Sequence, residues 1–192
     1  MNKEQIASII KSRKSTYPKQ FSGEKIDNKT ITEWLELSNW APNHKLTEPW
    51  RFVVFTGEAL INLVNEHKKI YLAKTPDEDI IDAKLAKFEI VKSRTSHILA
   101  VVCQLDEAKR LPEWEEVAAT AMGVQNLYLA LDVFNMAGYW STGNTNTSEM
   151  RQFLSLTNSQ VHLGWLYVGK PDKALPEGRR MRRPMENKIE WR

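Results

Sequence analysis

The chain has 192 residues, 42% of them hydrophobic and 27% charged, with a net charge of +3 and one cysteine. That length suits a single domain with a sizeable core, and the composition excludes a disordered or fibrous chain. Cys103 alone excludes an internal disulfide, and no apolar run is long enough for a membrane span or a signal peptide, so a cytoplasmic protein is expected.

Residues 4–12 place Ile6, Ile9 and Ile10 at helical spacing, and Arg13-Lys14-Ser15 follow at the C-terminal end. Asp27 to Thr30 offer cap chemistry for a helix over 31–40, which Pro42 ends by disfavouring helical geometry at Ala41. The connection WAPNHKLTEPWRF (40–52) is unusually bulky and leads into RFVVFTG (51–57), a buried strand by its β-rich run. Two charge-rich helices are expected over 58–94, broken near Thr75-Pro76-Asp77, as a surface excursion or lid. A second buried strand is expected over 96–106. A long helix follows over 113–136, with Val117, Ala121, Val124, Tyr128 and Leu131 on one stripe and small residues that permit close helix approach. A short strand or turn over 138–143, a capped helix over 147–156 and a third strong strand over 162–171 complete the pattern. The order lacks the regular alternation of a doubly wound sheet, so the fold class is α+β in one domain, 1–192, with a C-terminal arm from about 172.

Four histidines, His44, His67, His97 and His162, show no metal-ligand spacing, and one thiol builds no zinc site. Cys103 lies in a valine-rich strand, where a thiol is a small buried hydrophobe. No nucleophile elbow, Walker loop or dinucleotide fingerprint occurs. Arg13-Lys14-Ser15 can bracket a phosphate, or its cations can complement a helix C-terminus. Arg180 and Arg182 lie in GRRMRRP and project to one side of an extended segment, towards one phosphate, or else belong to a basic tail. Acidic residues flank that cluster, which argues against nucleic acid as a partner.

Taken in order, Arg13-Lys14-Ser15, WAPNHKLTEPWRF, GYWSTG and the C-terminal arginines resemble the FMN-dependent nitroreductases. More narrowly, the chain resembles the bacterial NAD(P)H nitroreductases with an APxHKxxxPWRF segment, over essentially its whole length. The resemblance implies a nitroreductase-like fold with a central, mixed but mainly antiparallel sheet flanked by helices. It also implies an intertwined homodimer with two FMN sites at the interface. The early Arg13-Lys14-Ser15 matches an Arg-Arg-Ser that binds the FMN phosphate. Trp40, Pro42 and His44 fall in a segment that serves the partner subunit's flavin; tryptophan replaces an arginine at 40, and Leu46 replaces an asparagine of the wider family. Trp140-Ser141-Thr142 matches a Trp-Arg-Thr that lies along the flavin ring, with Gly143 beside it, and serine cannot supply the arginine's charge. Arg180 and Arg182 match basic residues that hold the phosphate.

The implied activity takes hydride from NADH or NADPH and passes it, by a ping-pong scheme, to a nitroaromatic, a quinone or a similar flat acceptor. The chemistry lies on the flavin, so no side-chain nucleophile is needed. Lys14 is the candidate cation for the reduced ring edge, and backbone amides of 141–143 are candidates near N5. A non-redox, flavin-binding member of the same fold is the alternative. The 113–136 helix can serve the core, the dimer interface, or both.

Overall fold

The computed structural model describes residues 2–145, 147–174 and 181–192. Helix α1 (Lys3–Ser12) begins at a capping box between Asn2 and Gln5. Asp27 caps α2 (Asn28–Leu35) by accepting the Thr30 amide at 2.8 Å. The α-helix ends at Leu35 and tightens into a 3-10 turn over Glu36–Trp40, after which Ala41 is extended, the geometry its proline neighbour favours.

Four strands follow among the described residues: β1 (Trp50–Thr56), β2 (His97–Gln104), β3 (Ala137–Ser141) and β4 (Gln160–Gly169). They form one sheet in the order β1-β2-β4-β3, and every pairing is antiparallel. The fold is α+β, with helices on both faces.

On one face α2 and α5 (Glu113–Ala130) cover Leu99, Val101, Leu166 and Val168. On the other, α3 (Gly57–Lys74) and α6 (Ser148–Phe153) cover Ile98, Ala100, Val102 and Trp165, with Phe88 of α4 (Asp82–Arg94) packed alongside. Strand β2 is buried on both faces, which explains its uninterrupted apolar sequence.

Three expectations need correction. Strand β1 is a sheet edge rather than a buried strand, with Val53 38% and Val54 40% exposed; a β-branched run reports strand propensity, not burial. The helix 113–136 stops at Ala130, because Asn135 takes a left-handed φ of 51° and the Met136 amide closes back onto the Leu131 carbonyl at 2.8 Å. The 58–94 pair is not wholly superficial: α3 buries Leu60, Leu63, Val64, His67 and Ile70, whereas α4 has no fully buried residue. The tolerance of α5 for close approach is used by the 36–40 turn, since Gly123 lies against Ser38.

Indole N–H groups tie these layers together. Trp34 donates to the Leu127 carbonyl at 2.9 Å, Trp50 to Asn39 at 2.8 Å, and Trp165 to the Gly143 carbonyl at 3.0 Å. Trp165 is also flanked edge-on by His67 and His162. Burial pushes both imidazoles down from the ordinary 6.5 to about 4, and burial moves His97 in the same direction.

A depressed histidine pKa means that the unfolded chain binds more protons than the folded one. Stability is therefore complete above about pH 6.5 and declines as pH falls towards about 4, with a slope approaching about 1.4 kcal/mol per pH unit for each histidine. Asp106 and Glu149, held down to about 2 by hydrogen bonds from Arg110 and Lys74, act at the acid end of that window and below it. Urea unfolding at pH 7.5, 6 and 5 is expected to show the loss, and replacing His67 and His162 by glutamine is expected to flatten it.

Candidate functional site

The chain leaves α1 at Arg13, whose φ of −54° and ψ of 126° end the helix. The Thr16 amide donates to the Gly138 carbonyl at 2.8 Å, which fixes this segment beside β3. Tyr128, on the buried face of α5, meets both segments. Its hydroxyl accepts the Trp140 amide at 2.6 Å, and Ser15 borders the same cavity. Its ring lies under the Arg13 guanidinium, 5.5 Å from carbon to ring centroid, within cation–π range. Burial pushes the phenol pKa up, so it stays protonated.

These residues border a cavity of about 270 Å³, lined by Arg13, Ser15, Ala121, Val124, Gln125, Tyr128 and Trp140. Arg13 is half-buried and has no carboxylate partner among the described residues. A half-buried cation resting on an aromatic face, next to a hydroxyl and an indole, is arranged to receive an anion. A second cavity of about 280 Å³ lies on the other side of Arg13, towards Lys14, Thr16, Asp132 and Asp172.

The structure thus brings Arg13, Ser15 and Trp140 to one cavity and places Lys14 at the neighbouring one. Ser141 and Gly143 line a different cleft of about 280 Å³, between α3, α4 and Tyr167. Thr142 is exposed in the same turn. Trp40, Pro42 and His44 are not among the residues lining the Arg13 cavity within this chain. Trp40 is 84% exposed, Pro42 is exposed, and His44 Nδ1 lies 2.8 Å from a carboxylate oxygen of Glu115. Arg182 is exposed, donates to the Met181 carbonyl and lines neither cavity. Arg180 lies outside the described residues.

Tyr128 and Gln125 were absent from the sequence-based site. Their signal was available in principle: with Ala121 and Val124 they share one helix face at i, i+3, i+4 and i+7. Tyr128 fitted a core stripe equally well, and nothing in the sequence distinguished the two uses.

The family model described as "Nitroreductase family" matches residues 10–170. A Bacillus subtilis (strain 168) protein, provisionally named NAD(P)H nitroreductase YfhC, is 31% identical over 171 residues, covering 88% of this chain and 86% of its own.

This chain belongs to the nitroreductase family.

Among solved structures of the family, a nitroreductase-like protein from Bacillus cereus superposes with a TM-score of 0.78 at 28% identity, covering 97% of this chain and 95% of that one. A Desulfovibrio desulfuricans nitroreductase homologue, solved in complex with FMN, shares the fold with a TM-score of 0.72 at 20% identity, covering 98% and 96% of the two chains. In the present family member no helix among the described residues is long and apolar enough to cross a membrane, and no group of potential metal ligands occurs among them.

Trp140 owes its position to Gly164. Strand β4 carries a bulge opposite Val101 and Val102, and Gly164 there has a φ of 140°, a backbone conformation that L side chains rarely adopt. A Cβ at 164 would collide with the Trp140 indole nitrogen and lie 2.6 Å from the Ser141 carbonyl oxygen. The indole N–H is buried there, without an acceptor among the described residues. Gly164→Ala is expected to destabilise the fold by about 3 kcal/mol, combining backbone strain with overpacking. Denaturant titration measures the loss, and a shifted Trp140 indole resonance reports its displacement.

Proposed function

We propose that this protein is an FMN-dependent oxidoreductase that draws on NADH or NADPH and reduces a flat acceptor such as a nitroaromatic or a quinone. The observation that carries the reading is the half-buried Arg13 guanidinium, seated on Tyr128 with no carboxylate partner among the described residues, beside Ser15 and Trp140. Such a set fits a phosphorylated, planar cofactor: the arginine fork and the hydroxyl suit a phosphate, and the indole offers a flat wall. The FMN complex of the Desulfovibrio homologue and the NAD(P)H in the Bacillus subtilis protein's name support the choice of cofactor and donor.

When bound, FMN supplies the redox chemistry, taking hydride from the nicotinamide and reducing the acceptor in turn. This chain's part is to bind and orient. Arg13 neutralises the phosphate, Ser15 donates a hydrogen bond to it, and Trp140 packs beside the cofactor's body. Lys14, Thr142 and the backbone amides of 141–143 belong to the proposed site as ring-edge contacts, and Arg180 and Arg182 as further phosphate contacts.

We propose further that the working form is a homodimer. A cavity of about 270 Å³ is below the usual size of a site for a drug-sized ligand, so a second wall is required. Apolar surface is available to supply it: Leu46 is 82% and Trp114 69% exposed, in the same region as Trp40. Strand β1 presents an edge unpaired among the described residues, and Met181 and Trp191 near the C-terminus are exposed. In a dimer the Trp40–His44 corner is assigned to the partner's cofactor site.

Purified protein is expected to be yellow or to take up added FMN, with the flavin absorbance bleached by NADH or NADPH. FMN binding without steady-state turnover of nitro compounds or quinones would move the protein to the non-redox branch of its fold. Arg13→Ala is expected to weaken FMN binding by about 2 kcal/mol or more, the worth of a charge-assisted hydrogen bond, and unchanged flavin occupancy would remove Arg13 from the site. Light scattering is expected to give twice the 22.2 kDa chain mass, with one FMN per chain.

A further inference from the structure

Tyr128 is a costlier choice than the core requires. It is 7% exposed and packs with Leu127, Leu131, Val124 and Met136, a setting in which leucine or phenylalanine would serve. Burying a hydroxyl is unfavourable unless it is hydrogen-bonded, and this one accepts the Trp140 amide of a different segment at 2.6 Å. The ring face carries a second group, the Arg13 guanidinium.

The two groups come from residues 13 and 140, far apart in sequence, and each also lines the same cavity. α5 anchors the tyrosine on rigid backbone, so its two ends set the places of the phosphate-side and ring-side groups together. Arginine loses considerable rotamer freedom when it binds an anion, and a ring seat removes part of that loss in advance.

We propose that Tyr128 is a positioning residue that pre-assembles the cofactor site, its ring seating Arg13 for the phosphate and its hydroxyl holding Trp140 beside the rest of the ligand. This rests on the flavin reading above. The two parts of the side chain have separable tasks, so two substitutions affect two ligands differently. Tyr128→Phe keeps the ring and removes the hydroxyl, whereas Tyr128→Leu removes both.

The test is titration of flavin-free protein with FMN and with riboflavin, which lacks the phosphate, for wild type and both variants. Tyr128→Phe is expected to weaken both ligands by about tenfold, the worth of a hydrogen bond to a buried group, and to leave their ratio near the wild-type value. Tyr128→Leu is expected to lower the FMN preference over riboflavin by a further factor of about ten, the scale of a partly desolvated cation–π contact. A loss of folding stability alone would not change that ratio.

If Tyr128→Leu fails to fold, amide exchange in flavin-free Tyr128→Phe decides. Exchange at Trp140 at least about tenfold faster than in wild type supports the role, in line with loss of one buried hydrogen bond, and an unchanged rate overturns it. Equal loss of both flavins in Tyr128→Leu, or unaltered affinities in Tyr128→Phe, also overturns it while leaving the flavin reading intact. Wild type that binds neither flavin overturns both.

Discussion

Strand β4 imposes the constraint on which the rest of the structure depends. It runs between β2 and β3 with both faces covered, and its ladder to β2 is broken once, where the bulge places Leu163 and Gly164. Gly164 opens the space in which the Trp140 indole sits, and the next residue, Trp165, reaches the opposite face and holds the Gly143 carbonyl. Two successive residues of one strand therefore fix the two ends of the 140–143 turn from opposite sides of the sheet. Tyr128 adds a third restraint through the Trp140 amide. A turn held in this way does not need large side chains of its own, consistent with the run Ser141-Thr142-Gly143.

Much of the fold was legible in the sequence because local chemistry and tertiary position agree. The Asp27 cap, the extended Ala41 before Pro42, the two-sided burial of β2 and the Thr147 cap of α6 all follow from short-range rules. The misreadings share a different cause. Val53 and Val54 are as β-prone as the valines of β2, and only the strand order, which no local pattern encodes, makes β1 an edge. The end of α5 depends on a left-handed Asn135 that carries no glycine to announce it.

The candidate site was legible unevenly for the same reason. Arg13 and Ser15 stand together in the sequence, and Trp140 was noticed through family resemblance, but the side chain on which Arg13 and Trp140 meet is Tyr128, on α5. Tyr128 belongs to a hydrophobic stripe by spacing and to the cavity by its hydroxyl, and only coordinates distinguish these. The 40–52 corner shows the reverse situation. Its composition was conspicuous, and the structure adds backbone strain: Lys45, Leu46 and Glu48 all have positive φ, held by the Asn43 side chain on the Glu48 amide and by Lys45 on the Arg110 carbonyl.

The uneven burial of the seven tryptophans gives the molecule a built-in optical readout. Trp34 and Trp165 are sealed in the two cores, whereas Trp40, Trp114 and Trp191 stand in solvent, and Trp140 lies between, at the cavity wall. Buried indoles emit at shorter wavelength and are shielded from collisional quenchers such as iodide, while exposed ones are red-shifted and readily quenched. The intrinsic emission is therefore a sum of an inner, an outer and a wall population. Covering of the outer surfaces, melting of the cores and filling of the cavity each alter a different part of one spectrum, without any label.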